Sequence, residues 1–353
     1  MHDSDRQPGI FDGHNDLILR LITGKVTAAQ VRDGLNSGHI DLPRARAGGL
    51  SGGFFAIFVP SPPEHGMSME DLAKPSYDIP LPPPVERPYA AEMTDQGFAA
   101  ARALEAAGVI RICTDADTLE AALDGPEMAA VLHIEGAEAI GPEIAELEDF
   151  HARGLRSLGP VWSRPTIFAE GVPFRYPSDP DIGGGLTEAG RRLVAECNRL
   201  GILIDLSHLN AAGVREVAAI SDAPLVATHS NAAAVCPHAR NLTDDQLRTI
   251  ADSDGMVGIN LATGFLRPDG QMTADTPLGM LLRHLDHLIG ILGEDRVGFG
   301  SDFDGAIVPQ AIGDCAGLSA LRTAMRDHGI DDALMEKLCH RNWMAVLRRT
   351  WKD

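Results

Sequence analysis

Histidines and acids recur along this 353-residue chain at one kind of place, the end of an apolar run. His14 and Asp16 sit in FDGHNDLIL, Glu135 closes VLHIEG, His208 ends ILIDLSH, His229 ends LVATH, and Asp302 ends VGFGSD. Imidazole and carboxylate are ligands for Zn²⁺ and similar first-row ions. His14 and Asp16 are alternate residues, so on a strand they face the same way and can reach one ion. Three imidazoles with two or three carboxylates are about what two divalent ions need. Glu135 has two carboxylate oxygens and can bridge two ions. Asp302, at the end of the last such run, is suited to take a proton from water whose pKa a bound metal has lowered toward neutrality. A single histidine at a strand end is more often a hydrogen-bonded turn residue than a ligand. Recurrence at several strand ends shifts the balance, because independent accidents rarely share one geometry.

The elements that must position these residues alternate. Strand-like GGFFAIFVP, AAVLHIEG, GILIDLSH, APLVATHSN, GMVGINLA and DRVGFGSDFDG are joined by helix-like stretches such as TEAGRRLVAECNRL and PLGMLLRHLDHLIGILG. Strands apolar on both faces, each followed by a helix, predict a parallel sheet covered by helices. At least six such units favour a closed (β/α)₈ barrel of the TIM type over an open nucleotide-binding sheet, and in that barrel the strand ends converge on one mouth. Residues 1–353 read as one barrel domain, with a Pro-rich insertion at about 60–88 and an active-site loop at about 162–185. Neither G-x-G-x-x-G after a strand nor a phosphate-binding G-x-x-x-x-G-K-[ST] loop is present.

Other candidates divide by position. His133 shares the parity of Glu135 but lies deeper, which favours a core or supporting role; Asp304 shares that of Asp302 and suits a turn cap. Asp12 lies a step deeper than His14 and takes a structural role. His284 and His287 are three apart on a helix, which a barrel places outside, away from its mouth. His2, His39, His65, His151, His328 and His340 have no partner pattern, and Cys236 is a weak nucleophile candidate beside a histidine cluster. Arg240, on the loop after the His229 strand, suits a bidentate grip on a carboxylate or, equally, a surface pair with Asp244 or Asp245.

Bulk properties narrow the partners. The formal charge is −20 with no basic run, which argues against nucleic acid and anionic membranes. Five scattered cysteines, none in a C-x-x-C pair, argue against a disulfide framework or zinc knuckle. No apolar signal core or membrane-length run is seen, so a cytoplasmic protein is expected.

DGHNDL, IEG, GLTEAGRRLVAECNRLGILIDLSH, THSN, HARNLTDDQL and GSDFDG, in this order, resemble the membrane (renal-type) dipeptidase family of zinc metallopeptidases. The resemblance runs from Asp12 to the C-terminus, interrupted mainly by the Pro-rich stretch. It implies a (β/α)₈ barrel of the amidohydrolase kind with two zinc ions, assembled as a homodimer. By position it implies His14 and Asp16 on one zinc, Glu135 bridging, and His208 and His229 on the second. It further implies Arg240 on the substrate's terminal carboxylate and Asp302 as the acid that handles the proton. The implied reaction is hydrolysis of dipeptides with a free C-terminal carboxylate, with a D-residue such as that of L-Ala-D-Ala accepted there. Alternatives are another amidohydrolase-type hydrolysis, of a β-lactam, lactone or N-acyl amino acid, or a non-catalytic binding barrel. One departure stands out: where the family often has GVRYLTLTHN, this chain has GLRSLGPVWS, so Trp162 replaces a histidine placed near the scissile carbonyl. Indole keeps an N–H donor but cannot carry a charge.

Overall fold

The computed structural model describes residues 7–62, 68 and 70–351. His2, His65 and part of the Pro-rich insertion, residues 63–67 and 69, lie outside the described residues. Eight parallel strands form the frame: β1 (Ile10–Asn15), β2 (Leu50–Phe58), β3 (Met128–Glu135), β4 (Leu155–Gly159), β5 (Leu203–Ile204), β6 (Val226–Ala227), β7 (Met256–Asn260) and β8 (Val297–Gly300). Hydrogen bonding runs β5-β4-β3-β2-β1-β8-β7-β6. A bridge between Asp205 and Val226, with Leu206 N–H donating to Val226 O at 2.8 Å, brings β5 back to β6 and closes the ring. The expected TIM-type barrel is therefore the observed architecture. A further strand, Ile110–Ile112, pairs with the start of β3 outside the ring.

Local chemistry explains the rhythm. The helix Glu188–Leu200 starts where the Thr187 side chain accepts from Gly190 N–H and ends at Gly201, whose φ of 68° an L-residue adopts with difficulty. Its buried stripe of Leu193, Val194 and Cys197 packs on the sheet and returns the chain into β5. Strands β5 and β6 are shorter than their apolar runs because Asp205 takes over the pairing. Its Oδ1 accepts from the backbone N–H groups of Ser207 and Thr228, at 2.9 and 2.8 Å. Strand β4 escaped the sequence pattern because Arg156 and Ser157 interrupt it; the Ser157 hydroxyl is bonded to His133 Nδ1 at 2.9 Å inside the barrel.

The lower interior is filled. Phe11, Phe54, Val131 and Met256 pack around Trp343, which comes from the last helix, Asn342–Trp351, and donates its indole N–H to Phe299 O at 3.1 Å. Gly13 is needed for this insertion: a Cβ there would lie 2.3 Å from Thr228 O and 2.6 Å from the Trp343 ring. With the bottom plugged, the barrel interior opens toward the strand C-termini. All five cysteines are free and buried, and among the described residues no helix is long and apolar enough to cross a membrane.

Two long loops wall that upper face, and backbone pairing joins them. Tyr77–Ile79 of the Pro-rich insertion pairs antiparallel with Phe174–Tyr176 of the loop after β4. The base of that second loop is clamped by Arg164, which is fully buried. Its guanidinium reaches Glu138 Oε1 at 2.8 and 2.9 Å, Val59 O at 2.7 Å and Ser61 Oγ at 2.9 Å, tying together the ends of β2, β3 and β4. Breaking a buried pair from one side strands the other charge, at about 3–5 kcal/mol. Arg164→Met is expected to lose about that much in urea unfolding, and Glu138→Gln less, because the amide oxygen still accepts from the guanidinium; equal and small losses would show the clamp to be dispensable.

Candidate metal centre and active site

Strand β1 delivers His14 from its end and Asp16 from the first turn beyond it, where Asp16 precedes the helix Leu17–Ile22. The end of β1 interlocks with the turn after β8: Asp302 N–H donates to His14 O at 3.0 Å and Asp16 N–H to Phe303 O at 2.8 Å. Asp12 serves this junction. It accepts from both the backbone N–H and the hydroxyl of Ser301, the latter at 2.7 Å, which is the structural role expected of it. Asp302 has φ +61° and His208 φ +67°. Non-glycine residues held there cost roughly 1–3 kcal/mol and concentrate at functional sites. Gly305 is required close by, since a Cβ would fall 2.2 Å from Asp16 Oδ2 and 2.6 Å from Asp302 Oδ1.

The scattered residues converge. Glu135 lies at the centre: its Oε1 is 3.1 Å from His208 Nε2 and 3.6 Å from His229 Nε2, and its Oε2 is 3.8 Å from His14 Nε2. His14 Nε2 is also 3.5 Å from Asp16 Oδ2. His208 Nε2 and His229 Nε2 lie 3.1 Å apart. The other ring nitrogens are already engaged: His208 Nδ1 with Ser163 Oγ and His229 Nδ1 with Thr228 Oγ1, each at 2.9 Å. That leaves both Nε2 lone pairs aimed at the same point beside Glu135, an arrangement suited to an ion. Ligand atoms of His14, Glu135 and His229, and those of His14, Asp16 and Asp302, each fall within 4.8 Å of one another, so the residues present fit a metal.

The electrostatics agree. Burial, reinforced by Asp16 and Asp302, pushes Glu135 up to about 8, against the pull of His14. Burial by itself opposes a charged His14, yet Glu135, Asp16 and Asp302 raise it to about 10. The protein thus draws positive charge to the centre of its carboxylates. His208 and His229 are held well below the usual histidine range by burial and by neighbouring cations, which keeps their lone pairs available. Asp302 is raised, first by burial; Asn260 Nδ2 donates to its Oδ2 at 3.0 Å.

Arg240 is not a surface pair. Asp244 bonds His287 and Asp245 bonds Arg248, while Arg240 is buried with its guanidinium 5.4 Å from the Phe265 ring. It donates to His229 O at 3.2 Å, and its Nε has no partner. Burial brings it down to about 10, partly opposed by Asp302 and Glu135, so it stays charged at neutral pH. Trp162 lines the pocket that also holds Asp16, Glu135, His208 and Asp302, its ring 5.1 Å from Phe58, 5.8 Å from Phe174 and 5.9 Å from His208. His133 bonds Ser157 in the core, His284 accepts from Ala232 N–H, and Asp304 accepts from His39 N–H and Arg20; none of the three joins the cluster.

Several supporting residues went unread in the sequence. The Thr228 hydroxyl donates to Asp205 Oδ2 at 2.6 Å and accepts from His229 Nδ1, forming a relay that orients the imidazole. Ser163 and Asn260 do the same for His208 and Asp302. The only hint was a polar residue inside an apolar run, as Asp205 is in ILIDLSH and Thr228 in LVATH.

A parallel barrel with imidazoles and carboxylates gathered at its carboxyl mouth is the framework of a metal-dependent hydrolase. The chain belongs to the membrane dipeptidase family, peptidase family M19, whose model matches residues 5–352. The structure is similar to that of a metallo peptidase from Rhodobacter sphaeroides liganded with a phosphinate mimic of the dipeptide L-Ala-D-Ala. Identity is 52%, 98% of this chain and 100% of that chain are covered, and the TM-score is 0.96. The probable dipeptidase PvdM from Pseudomonas aeruginosa shares the fold at 22% identity and a TM-score of 0.83, over 99% of this chain and 96% of that one. An uncharacterized protein in the pqqA 5′ region of Klebsiella pneumoniae is 46% identical over 247 residues, 70% of this chain and 91% of the relative. The protein is a metallo dipeptidase, which sets aside a non-catalytic barrel.

Thr228→Val removes the acceptor that orients His229 while keeping the side chain's shape. Divalent-metal affinity is expected to fall about 10- to 100-fold, read by competition with a chelating dye; unchanged affinity would detach His229 from the metal centre.

Proposed function

We propose that the protein is a binuclear zinc dipeptidase cleaving dipeptides with a free C-terminal carboxylate and accepting a D-residue at that position, as in L-Ala-D-Ala. The observation that carries this reading is Glu135, with His208 and His229 converging on one carboxylate oxygen and His14 on the other. In this reading His14 and Asp16 would hold one zinc, His208 and His229 the second, and Glu135 would serve both. Zinc is supported by the donor set of imidazoles and carboxylates. Acceptance of a D-residue is supported by the mimic in the similar Rhodobacter sphaeroides structure.

Two zinc ions, when bound, supply Lewis acidity toward the peptide carbonyl and lower the pKa of water to near neutral. The protein's own groups do the rest. Asp302 accepts the proton of the attacking water and returns it to the leaving amine. Asn260 holds its Oδ2, and no side-chain hydrogen bond among the described residues occupies its Oδ1. Arg240, charged and with its Nε unpaired, takes the substrate carboxylate and so favours dipeptides over longer chains. Trp162, on the pocket wall, offers its indole N–H toward the carbonyl region. Assembly as a homodimer in the cytoplasm is part of the same reading.

Metal-replete enzyme is expected to hydrolyse L-Ala-D-Ala; no turnover on it or on a panel of L,L-dipeptides would sink the reading. Asp302→Asn should keep its metal, by elemental analysis, while kcat falls about 10²- to 10⁴-fold. Arg240→Met should act mainly on KM for substrates with a free carboxylate and leave amidated dipeptides nearly unaffected; equal effects on both would remove it from carboxylate binding.

A further inference from the structure

The catalytic pocket is small, about 120 Å³, and a larger cavity of about 450 Å³ adjoins it. Phe58, Trp162 and Phe174 belong to both, so the two spaces share one aromatic wall. The far side of the larger cavity is Ile79, Leu81 and the prolines of the insertion around them. Among the described residues no charged side chain lines it. Its two serines are already engaged: Ser61 Oγ accepts from Arg164, and Ser163 Oγ is bonded to His208. Ile79 and Leu81 are themselves only partly buried. None of the roles assigned above uses this space.

We propose that this cavity receives the side chain of the amino-side residue of the dipeptide and selects a bulky apolar one. The inference rests on the reading that Arg240 holds the substrate carboxylate, and strand order then sets the direction. Arg240 follows β6 and its neighbour Phe265 follows β7, whereas Phe58 ends β2 and Trp162 follows β4, across the mouth. A dipeptide with its carboxylate at Arg240 and its peptide bond over Glu135 carries its amino-side residue toward Phe58 and Trp162. Beyond them lies the apolar cavity. Its walls are preformed: proline fixes φ at 80, 82 and 83, and the ribbon of Tyr77–Ile79 with Phe174–Tyr176 holds the insertion in place. Little ordering entropy is then lost when an apolar group enters. A polar or charged side chain would lose its water there and find no unengaged partner among the described residues.

The test uses full-length, metal-loaded enzyme and two phosphinate mimics that keep D-Ala at the carboxyl side and carry Ala or Leu at the amino side, together with the matching dipeptides. Wild type is expected to bind the Leu mimic, and to cleave Leu-D-Ala, about tenfold or more better than the Ala compound. In Leu81→Asp and Ile79→Asp that ratio should fall to near one. Both positions are partly exposed, Ile79 at the end of the ribbon and Leu81 on the loop beyond it, and circular dichroism confirms folding. Equal treatment of the two compounds by wild type, or a Leu preference that survives in both variants, overturns the subsite. The two readings fail separately. Enzyme that cleaves both dipeptides without preference loses only the subsite, and enzyme that binds the Leu mimic selectively but cleaves neither loses only the dipeptidase specificity.

Discussion

Three carboxylates, those of Asp16, Glu135 and Asp302, are brought around one imidazole, His14, at the top of an apolar barrel. Negative charge gathered where water is scarce is costly unless positive charge sits among it. Arg240 offsets part of it, and the elevation of His14 and Glu135 shows that the remainder still seeks a cation. The closed ring of strands fixes where these groups meet. The plugged base around Trp343 leaves them one open face, and the relays through Thr228, Ser163 and Asn260 aim them. Each layer of the fold therefore answers the same demand, which is to hold mutually repelling groups close enough to bind metal.

Strain is part of that holding. His208 and Asp302 occupy left-handed backbone conformations that neither residue prefers, each fixed by hydrogen bonds from a neighbouring segment. His208 O accepts from Val172 N–H, in the loop that also carries Trp162, so the imidazole and the pocket wall are set by one backbone contact. Asp302 is fixed from below by His14 O, so the acid proposed to handle the proton and a proposed ligand move as one unit. Such couplings preorganise the site before any substrate arrives.

The cluster was legible in the sequence because it obeys a simple rule: polar residues at the ends of apolar runs become neighbours once a parallel barrel closes. His14, Asp16, Glu135, His208, His229 and Asp302 follow it. What was not legible depends on contacts between distant segments. Strand β4 was hidden by Arg156 and Ser157, and the brevity of β5 and β6 by the substitution of Asp205 side-chain bonds for ladder bonds. The burial of Arg240 could not be told from a surface pair, since Asp244 and Asp245 are closer along the chain than Phe265. Nor could the pairing of two loops nearly a hundred residues apart be read from residues such as Tyr77 and Tyr176, which signal nothing alone.

That pairing has a consequence for how selectivity can change. The ribbon between Tyr77–Ile79 and Phe174–Tyr176 sets the clearance of the mouth through main-chain hydrogen bonds, which no side-chain replacement alters directly. Lining residues such as Leu81 can then be exchanged one at a time, retuning what the opening tolerates chemically while its gauge stays constant. Insertions or deletions are another matter: a change of length in either loop shifts the register of both. Related chains that differ in the length of one loop should therefore carry a compensating change in the other, so the two segments form a single heritable module.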